Sequence, residues 1–426
     1  MQEQRRQLEN VLLNTPLSKL KADGSVLTDL DAHPEGRLYG ELLWRVQPAA
    51  GGELPAHKFR GGDSIALRVD ARGGDTSRGG RPPSVDATLL EVHRDHLMVT
   101  LPAAAAQQLA ERPSGASLRV EVTGQEATAR RQIAALDRLE VLDGPKRRGA
   151  GAVRAILLDS PQAKRLAAEP PEWMQQPSWR EGARELLQQL SNVNDSQRAA
   201  VANALGRTYT LWQGPPGTGK TRTLLSFLEL MCRLSAAPTA RQQLGPMLAV
   251  ADTNAAADNL LAGLLSRGVA AVRVGQPAKV RPELRHACLD AQAERAPAGQ
   301  QAARLRDQAA QALGRAAQAL QQGVISPAEW RQAKRESDRM WGRADAALGD
   351  AAGSVLAGCR VVVGTCTSAG EARLAELRFR VVVLDEATQA TEASSLVPLV
   401  KGAECVVMAG DHKQLPPTIV SRQALQ

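Results

Sequence analysis

The sequence predicts an α/β fold in which a parallel sheet occupies the second half of the chain and a small all-β region precedes it. After residue 200, short and wholly apolar runs such as MLAVA (247–251), RVVVG (360–364) and RVVVLD (380–385) alternate with helical segments. Strands that are apolar throughout are typical of parallel sheets covered by helices on both faces. Between 38 and 141 the runs alternate in polarity and are broken by Gly and Pro, which indicates a barrel or a sandwich.

The first half of the chain begins with a predicted helix and continues with predicted strands. Leu8 and Leu12 belong to a helical apolar pattern near the start, so a helical lead-in is expected within 1–37. The segment ARGGDTSRGGRPP (71–83) is too rich in Gly, Arg and Pro for a strand and predicts a long surface loop. The expected strands are LYGELLWRV (38–46), DSIALRV (63–69), ATLLEV (87–92), HLMVTL (96–101) and SLRVEV (117–122).

Two helical regions flank and interrupt the predicted α/β half. Residues 125–190 return to helical periodicity, which predicts a stalk, and a helical hairpin is expected at 291–357. The second helix of that hairpin should begin after Ser326, with Pro327 at the first helical position and Glu329 completing a capping box. The predicted domains are a lead-in (1–37), a barrel (38–141), a stalk (142–190), an α/β domain (191–290 and 358–426) and the hairpin insertion (291–357).

Composition and charge exclude several classes of protein. The net charge is +8, from 53 Lys and Arg against 45 Asp and Glu, which mildly favours polyanionic partners. Five cysteines without CxxC spacing indicate buried reduced thiols rather than a disulfide framework or a metal site. No apolar run approaches the ~20 residues that span a bilayer, and the polar start lacks the apolar segment of a secretory signal. We therefore expect a soluble intracellular protein, cytoplasmic or nuclear, with no membrane partner.

A phosphate-binding loop is predicted where the first strand of the α/β half meets its helix. The sequence fits GxxxxGK[ST] in full, with strand-like TYTLWQ before it and an apolar-periodic helix after it. Backbone N–H groups of such a loop converge on phosphate oxygens, and the following helix adds its positive end. The lysine is expected to reach the β- and γ-phosphates and the threonine to ligate Mg²⁺. We call this segment the phosphate loop: Gly214, Pro215, Pro216, Gly217, Thr218, Gly219, Lys220 and Thr221.

A pair of carboxylates follows another apolar strand. Asp385 ends the run VVVLD, and the carboxyl ends of parallel strands are where open α/β sheets place their ligands. We expect Asp385 to hold Mg²⁺, mainly through water, and Glu386 to orient and deprotonate the attacking water. An isolated Asp-Glu pair after a strand is more often a solvated turn, so this interpretation depends on the phosphate loop.

GDHKQLPP (410–417) follows a further apolar strand and has two interpretations. It is either a turn stiffened by prolines, or a segment that places Gln414 beside the γ-phosphate as a sensor of hydrolysis. The residues alone favour neither.

GPPGTGKT, DEATQA (385–390) and GDHKQLPP together resemble the motifs of superfamily 1 helicases of the 5′-to-3′ branch, in particular the family of the immunoglobulin-mu-binding-protein and nonsense-mediated-decay helicases. The resemblance implies a RecA-like P-loop NTPase domain, preceded by that family's accessory barrel and helical stalk. It also implies hydrolysis of ATP with Mg²⁺ and movement along single-stranded DNA or RNA. Weaker matches are NDSQRAAV (194–201), ADTNAAADNLL (251–261) and GTCTSAG (364–370).

The resemblance also assigns roles to residues outside the three motifs. Gln197 would read the edge of adenine, and four polar residues would hydrogen-bond the phosphate backbone of a single strand without reading bases. Helix capping and turn formation are the alternative roles of those four residues. Because aromatic residues make up only 3% of the chain, base stacking supplies little of the expected affinity. The four residues, which we call the polar track, are Thr253, Asn254, Thr365 and Thr367.

Two departures from the family pattern qualify the resemblance. Asp252 stands where the family usually has proline, and a carboxylate there would weaken contact with phosphates unless it points away. The family continues into a second RecA-like domain with an arginine finger, so the chain is expected to be a fragment of a longer protein. The alternatives are a P-loop kinase or AAA-type remodelling ATPase, which DExxQ followed by GDxxQLPP disfavours, and a catalytically inert remnant that binds nucleotide and nucleic acid.

Overall fold

The computed structural model describes residues 15–70, 84–110, 112, 116–122, 126–141, 148–236 and 244–418. The predicted loop at 71–83 and the first 14 residues of the predicted lead-in lie outside the described residues. The chain divides into two compact units. The first contains the described residues up to 134 together with 276–281 and the last two described residues, and the second contains 135–275 and 282–416.

Six antiparallel strands close into a barrel in the first unit. Around the barrel, with strands numbered along the chain, their order is β1-β2-β5-β4-β3-β6. The strands are β1 (Val26–Leu38), β2 (Glu41–Pro48), β3 (Ser64–Asp70), β4 (Ser84–Val92), β5 (Leu97–Leu101) and β6 (Ser117–Val122), accompanied by helices α1 (Leu17–Ala22) and α2 (Ala103–Ala110). Aliphatic side chains with no exposed surface fill the interior: Val46, Ile65, Leu67, Leu89, Leu97, Val99, Leu101, Leu118 and Val120.

The first strand corrects the sequence analysis. A helical lead-in is predicted over 1–37, but Val26–Leu38 forms β1, so the prediction is wrong for these residues. Burial alternates only as far as Ala32, and the rest of the strand is exposed and polar, which left little apolar periodicity to detect. Its pairing with β2 shifts register between Pro34 and Gly36. Such irregularities bend a long strand so that it can pair with a neighbour on each side of a barrel.

A six-stranded parallel sheet forms the centre of the second unit. Its order is β7-β12-β11-β8-β10-β9, and the strands are β7 (Tyr209–Gln213), β8 (Met247–Ala251), β9 (Ala271–Arg273), β10 (Val361–Thr365), β11 (Val381–Asp385) and β12 (Cys405–Gly410). All residues of β8 and β11 are buried, because helices cover both faces of the sheet. The expected combination of a barrel with a mixed α/β domain built on a parallel sheet is confirmed.

Helices precede the sheet along the chain and connect its strands. Those after the barrel are α3 (Glu126–Val141), α4 (Arg148–Leu157), α5 (Ala163–Ala168), α6 (Pro177–Gln189), α7 (Asp195–Ala204), α8 (Lys220–Ala236), α9 (Asn254–Leu265), α10 (Leu289–Arg295), α11 (Pro297–Gln321), α12 (Pro327–Gly358) and α13 (Glu392–Leu399). Among the described residues, no helix combines the length and the hydropathy needed to cross a membrane.

Helices α11 and α12 form the expected hairpin. The Ser326 hydroxyl accepts from the Glu329 N–H at 3.3 Å, and the Glu329 carboxylate accepts from the Ser326 N–H at 2.7 Å, which confirms the predicted capping box. Only the base of the hairpin joins the core around the sheet, through residues such as Ala351 and Leu356 of α12.

Candidate functional site

Five neighbouring strands of the parallel sheet end level with one another. Gln213 is paired with Gly410, and Ala251 is paired with both Asp385 and Thr365. At ~4.8 Å between strands, the edge from β7 to β10 spans about 19 Å. The predicted site residues other than Gln197 lie at these strand ends, in the loops after them or in the first turn of the helix that follows. The strands concerned are, in order, β7, β12, β11, β8 and β10.

The phosphate loop connects β7 to α8 and requires glycine at two positions. The φ angle is +76° at Gly217 and +84° at Gly219, a region that other residues rarely adopt. A Cβ atom on Gly219 would also lie 2.7 Å from Nε2 of Gln197. Lys220 is the first residue of α8, and its Nζ donates to the Gly214 carbonyl at 2.8 Å. The lysine side chain therefore folds back onto the phosphate loop and binds its backbone.

Gln197 uses both ends of its amide. Its Oε1 accepts from the Asn194 N–H at 3.1 Å, while Oδ1 of Asn194 accepts from the Gln197 N–H at 2.9 Å, and together these bonds form the capping box of α7. Its Nε2 donates to the carbonyl of Thr218 at 2.9 Å. Gln197 thus ties the start of α7 to the phosphate loop.

Thr221 and Asp385 meet although 164 residues separate them, and the Thr221 hydroxyl donates to Oδ2 of Asp385 at 2.7 Å. Asp385 is 2% exposed. Burial raises the pKa of its carboxyl group above the ordinary value, while the bonds from Thr221 and the Glu386 N–H act in the opposite direction. The sheet edge thus holds a buried carboxylate and a hydroxyl with their oxygens in contact.

Glu386 has an unusual backbone conformation for its residue type. Its φ of 49° lies in the left-handed region, which costs a residue other than glycine of order 1 kcal/mol or more and often marks a functional site. The N–H of Glu386 donates to Oδ1 of Asp385 at 3.0 Å, and its own carboxylate accepts from the Gln389 amide at 3.4 Å. The turn therefore places the two adjacent carboxylates in different environments: that of Asp385 is buried at the sheet edge, and that of Glu386 is half-buried.

Gln414 is held by a residue that the sequence analysis did not single out. Its Nε2 donates to Oδ2 of Asp411 at 2.9 Å, and this bond, more than any other contact, lowers the pKa of Asp411. Thr388, which follows β11, donates its hydroxyl to the Asp411 carbonyl at 3.3 Å. The segments after β11 and β12 are therefore joined through Asp411 and Thr388. Their only sequence signal was their position inside the two motifs.

The four residues of the polar track lie at the ends of the adjacent strands β8 and β10. The Thr253 hydroxyl accepts from the Ala256 N–H at 3.2 Å as the N-cap of α9, and the Thr365 hydroxyl accepts from the Ser368 N–H at 3.1 Å. The side-chain oxygens of Thr365 and Thr367 are 3.3 Å apart. Capping and turn contacts, the alternative interpretation from the sequence, are thus present at Thr253 and Thr365.

Asn254, the remaining track residue, contacts an arginine that the sequence analysis missed. Its Oδ1 accepts from Nη2 of Arg273 at 2.9 Å. The signal in the sequence was a single basic residue inside the otherwise apolar run AVRV (271–274).

The carboxylate of Asp252 has a hydrogen-bond partner within the protein. Its Oδ1 accepts from the Ser394 hydroxyl of α13 at 2.8 Å, and Ser394 is buried. Asp252 also contributes to the high pKa of Cys366, although burial is the larger cause, so the carboxylate lies near that thiol. One oxygen of the half-buried Asp252 carboxylate is thus bound to a serine inside the protein.

Comparison with known proteins agrees with these motifs. The model of a family described as an AAA domain matches residues 192–422. An uncharacterized ATP-dependent helicase of Methanocaldococcus jannaschii is 32% identical over 262 residues, which cover 54% of this chain and 38% of the relative. Regulator of nonsense transcripts 1 homolog of Arabidopsis thaliana is 32% identical over 249 residues, which cover 55% of this chain and 17% of the relative. DNA-binding protein SMUBP-2 of Mus musculus is 34% identical over 235 residues, which cover 54% of this chain and 22% of the relative.

The matched region contains the phosphate loop, the carboxylate pair and GDHKQLPP, on a parallel sheet whose carboxyl edge brings them together. The chain spans less than two fifths of the length of these curated relatives. On its motifs, its sheet and its relatives, the chain belongs to the superfamily 1 helicases related to Upf1 and SMUBP-2.

Proposed function

We propose that this chain is the ATPase lobe of an ATP-dependent 5′-to-3′ DNA/RNA helicase, which couples ATP hydrolysis to translocation along a single strand. One observation carries the proposal: the nucleotide motifs occupy the ends of β7, β12 and β11, and the polar track occupies the ends of β8 and β10 at the same edge. Asp385 at the end of β11 is paired with Ala251 at the end of β8. A nucleic acid bound at the track would therefore lie one β-strand spacing away from the nucleotide motifs.

The phosphate loop supplies the ATP site in this proposal. Its backbone N–H groups and the start of α8 favour phosphate oxygens. Nζ of Lys220, which now donates within the loop, would exchange its carbonyl partners for the β- and γ-phosphates. Gln197 would read the adenine edge, and to do so one end of its amide must leave Asn194 or Thr218.

The contact between Thr221 and Asp385 fits a magnesium ion. Mg²⁺ binds hard oxygen ligands and keeps several of its waters, and here a hydroxyl and a carboxylate stand 2.7 Å apart. When bound, the ion would neutralise charge on the phosphates. Thr221 would ligate it, and Asp385 would hold it mainly through water.

The remaining catalytic roles go to Glu386 and Gln414. Glu386 is proposed to orient and deprotonate the attacking water, because its carboxylate stands beside Asp385 without sharing its burial. Gln414 is proposed to report the state of the γ-phosphate. Its partner Asp411 lies close enough to Lys220 for the lysine to lower the pKa of Asp411, although the bond from Gln414 is the larger cause.

The nucleic-acid contacts are proposed to be Thr253, Asn254, Thr365 and Thr367. Hydroxyl and amide groups fix the register of a phosphate backbone without reading bases. We also propose that the domains follow the predicted division, except that the barrel begins at β1 (Val26–Leu38). A second RecA-like lobe with an arginine finger is proposed to complete the ATP site, as in the family. The five cysteines are buried free thiols, which supports a location inside the cell.

Nucleotide binding and turnover test the proposal. A fluorescent ATP analogue would be titrated against this chain with and without Mg²⁺, and phosphate release would be measured with and without single-stranded DNA or RNA. Turnover would be measured on the chain alone and on the chain completed with a second RecA-like lobe. We expect Mg²⁺-dependent binding that Lys220→Ala weakens, and strand-stimulated turnover when both lobes are present. Failure to bind nucleotide would overturn the proposal. Binding of nucleotide and strand with no turnover by the completed protein would favour the inert remnant instead.

A further inference from the structure

Arg273, the last residue of β9, is a charged side chain placed in the interior. It is 1% exposed and stands first by volume among the fully buried side chains of the described residues. A buried guanidinium is costly unless its charge is balanced and its N–H groups have acceptors.

Three nitrogens of this guanidinium have separate acceptors. Nε donates to Oδ1 of Asp258 at 3.1 Å, Nη1 donates to the Val274 carbonyl, and Nη2 donates to Oδ1 of Asn254 at 2.9 Å. Asp258 is 1% exposed and balances the charge. Asn254 and Asp258 stand four residues apart on α9, so they lie one above the other on the same face of the helix.

The contact with Arg273 fixes which way the Asn254 amide points. Arginine has only donors, so the amide atom that faces it must be the oxygen, and the usual ambiguity between the two amide ends does not arise. The NH₂ end of Asn254 has no partner among the described residues, and the side chain is half-buried, so this end is presented at the surface of the track.

The neighbouring residue presents a donor as well. The oxygen of the exposed Thr253 hydroxyl accepts the capping bond from Ala256, which leaves its hydrogen for another acceptor. Two donors at the start of a helix suit an anionic oxygen better than a neutral or cationic group.

We propose that Arg273 is a positioning residue for nucleic-acid binding: by fixing the amide of Asn254 with its donor outward, it restricts this end of the track to acceptor groups such as the phosphates of a single strand. Arg273 itself does not touch the strand. The inference rests on the proposed function, because it needs the track to bind a single strand.

The test compares Arg273→Lys, Asn254→Ala, the double variant and Asn254→Asp by the affinity of each for a fluorescent oligo-dT strand. Lysine keeps the positive charge beside Asp258, but its single ammonium group cannot reproduce the three hydrogen bonds of the guanidinium. We expect Arg273→Lys and Asn254→Ala each to weaken strand binding about tenfold, the effect of roughly one hydrogen bond to a charged group. The double variant should bind like Asn254→Ala alone, because the arginine acts only through the amide. Affinity for a fluorescent ATP analogue, measured in parallel, should stay within about twofold in all four.

Asn254→Asp separates positioning from folding. It preserves the shape of the side chain and gives Arg273 a second carboxylate partner beside Asp258, so the thermal midpoint should be equal to or above that of the parent. Strand affinity should fall by more than about tenfold, because a carboxylate replaces the donor. Unchanged strand affinity in Asn254→Asp, or independent losses that multiply in the double variant, would overturn the inference. A parent chain that binds no strand at all would overturn the proposed track, and this inference with it.

Discussion

Thr221 and Asp385 are joined by a 2.7 Å hydrogen bond that links the end of the phosphate loop to the end of β11. The bond brings together the two oxygens that are proposed to hold one Mg²⁺ ion. One of them belongs to a carboxyl group whose pKa is raised by burial. A carboxyl group with a raised pKa in the folded state binds its proton more tightly than in the unfolded chain. The free energy of unfolding therefore falls as pH rises from the unfolded value towards the raised one, and the loss remains at neutral pH.

We therefore expect Asp385→Asn to stabilise the chain in the absence of nucleotide, because it removes a buried negative charge at neutral pH. The gain should be on the order of 1 kcal/mol, or about 2 °C in thermal midpoint. The same change should remove the stabilisation that Mg²⁺ gives in the presence of a nucleotide. Thermal scans with and without Mg-ADP measure both effects. A lower midpoint without nucleotide would show that the ionised carboxylate stabilises the fold, contrary to our reading.

Glu386→Gln should separate nucleotide binding from hydrolysis. The neutral amide keeps the shape of the side chain but cannot take a proton from water, so we expect turnover by the two-lobed protein to fall at least ~10²-fold with nucleotide affinity unchanged. Lys220→Ala should weaken nucleotide binding itself. Glu185→Gln, an exposed carboxylate on α6, is the matched control and should change neither quantity. Parent-like turnover by Glu386→Gln would remove this residue from the role of base.

Binding of a single strand should depend on salt far more than on sequence. The net charge of +8 and the scarcity of aromatic residues imply phosphate contacts with little stacking. Between about 50 and about 200 mM salt we expect affinity for oligo-dT to fall at least about tenfold. A mixed-sequence strand should bind within about threefold of oligo-dT at each salt concentration. A flat salt response, or a strong preference for one sequence, would contradict a backbone-tracking mode.

Lys401 should make stability depend on pH above neutrality. Its Nζ donates to the Leu374 carbonyl at 2.6 Å, and burial, with a smaller effect from Arg138, lowers its pKa to about 8. Because the unfolded lysine keeps its proton to higher pH, the folded protein gains stability as pH rises from about 8 to about 10. Lys401→Met lacks this gain. The urea midpoint of the variant minus that of the parent should therefore be highest at pH 7 and should decrease towards pH 10. Lys164→Met, at an exposed lysine of α5, should show no such trend. A constant difference across this range would exclude Lys401 as the titrating group.

The parts of the fold that sequence predicted were those encoded by local patterns. The phosphate loop, the strand before Asp385 and the cap at Ser326 each lie within a few residues, so spacing alone reveals them. The pairing of Thr221 with Asp385 and the contact of Arg273 with α9 could not be derived in this way, because both depend on which strands become neighbours in the sheet. The strand Val26–Leu38 escaped detection because half of it is exposed and polar.

The helical hairpin is inserted between β9 and β10, and this position allows its length to vary. The chain departs after β9 and returns at β10, and these two strands are direct neighbours. Since only the base of the hairpin packs near the sheet, the outer turns of α11 and α12 could be shortened together, or exchanged for another helical pair, without moving any strand end. A biosensor module or a cross-linking tag could thus be inserted at 322–325, between α11 and α12. Such an insertion would leave the spacing between the nucleotide motifs and the track unchanged.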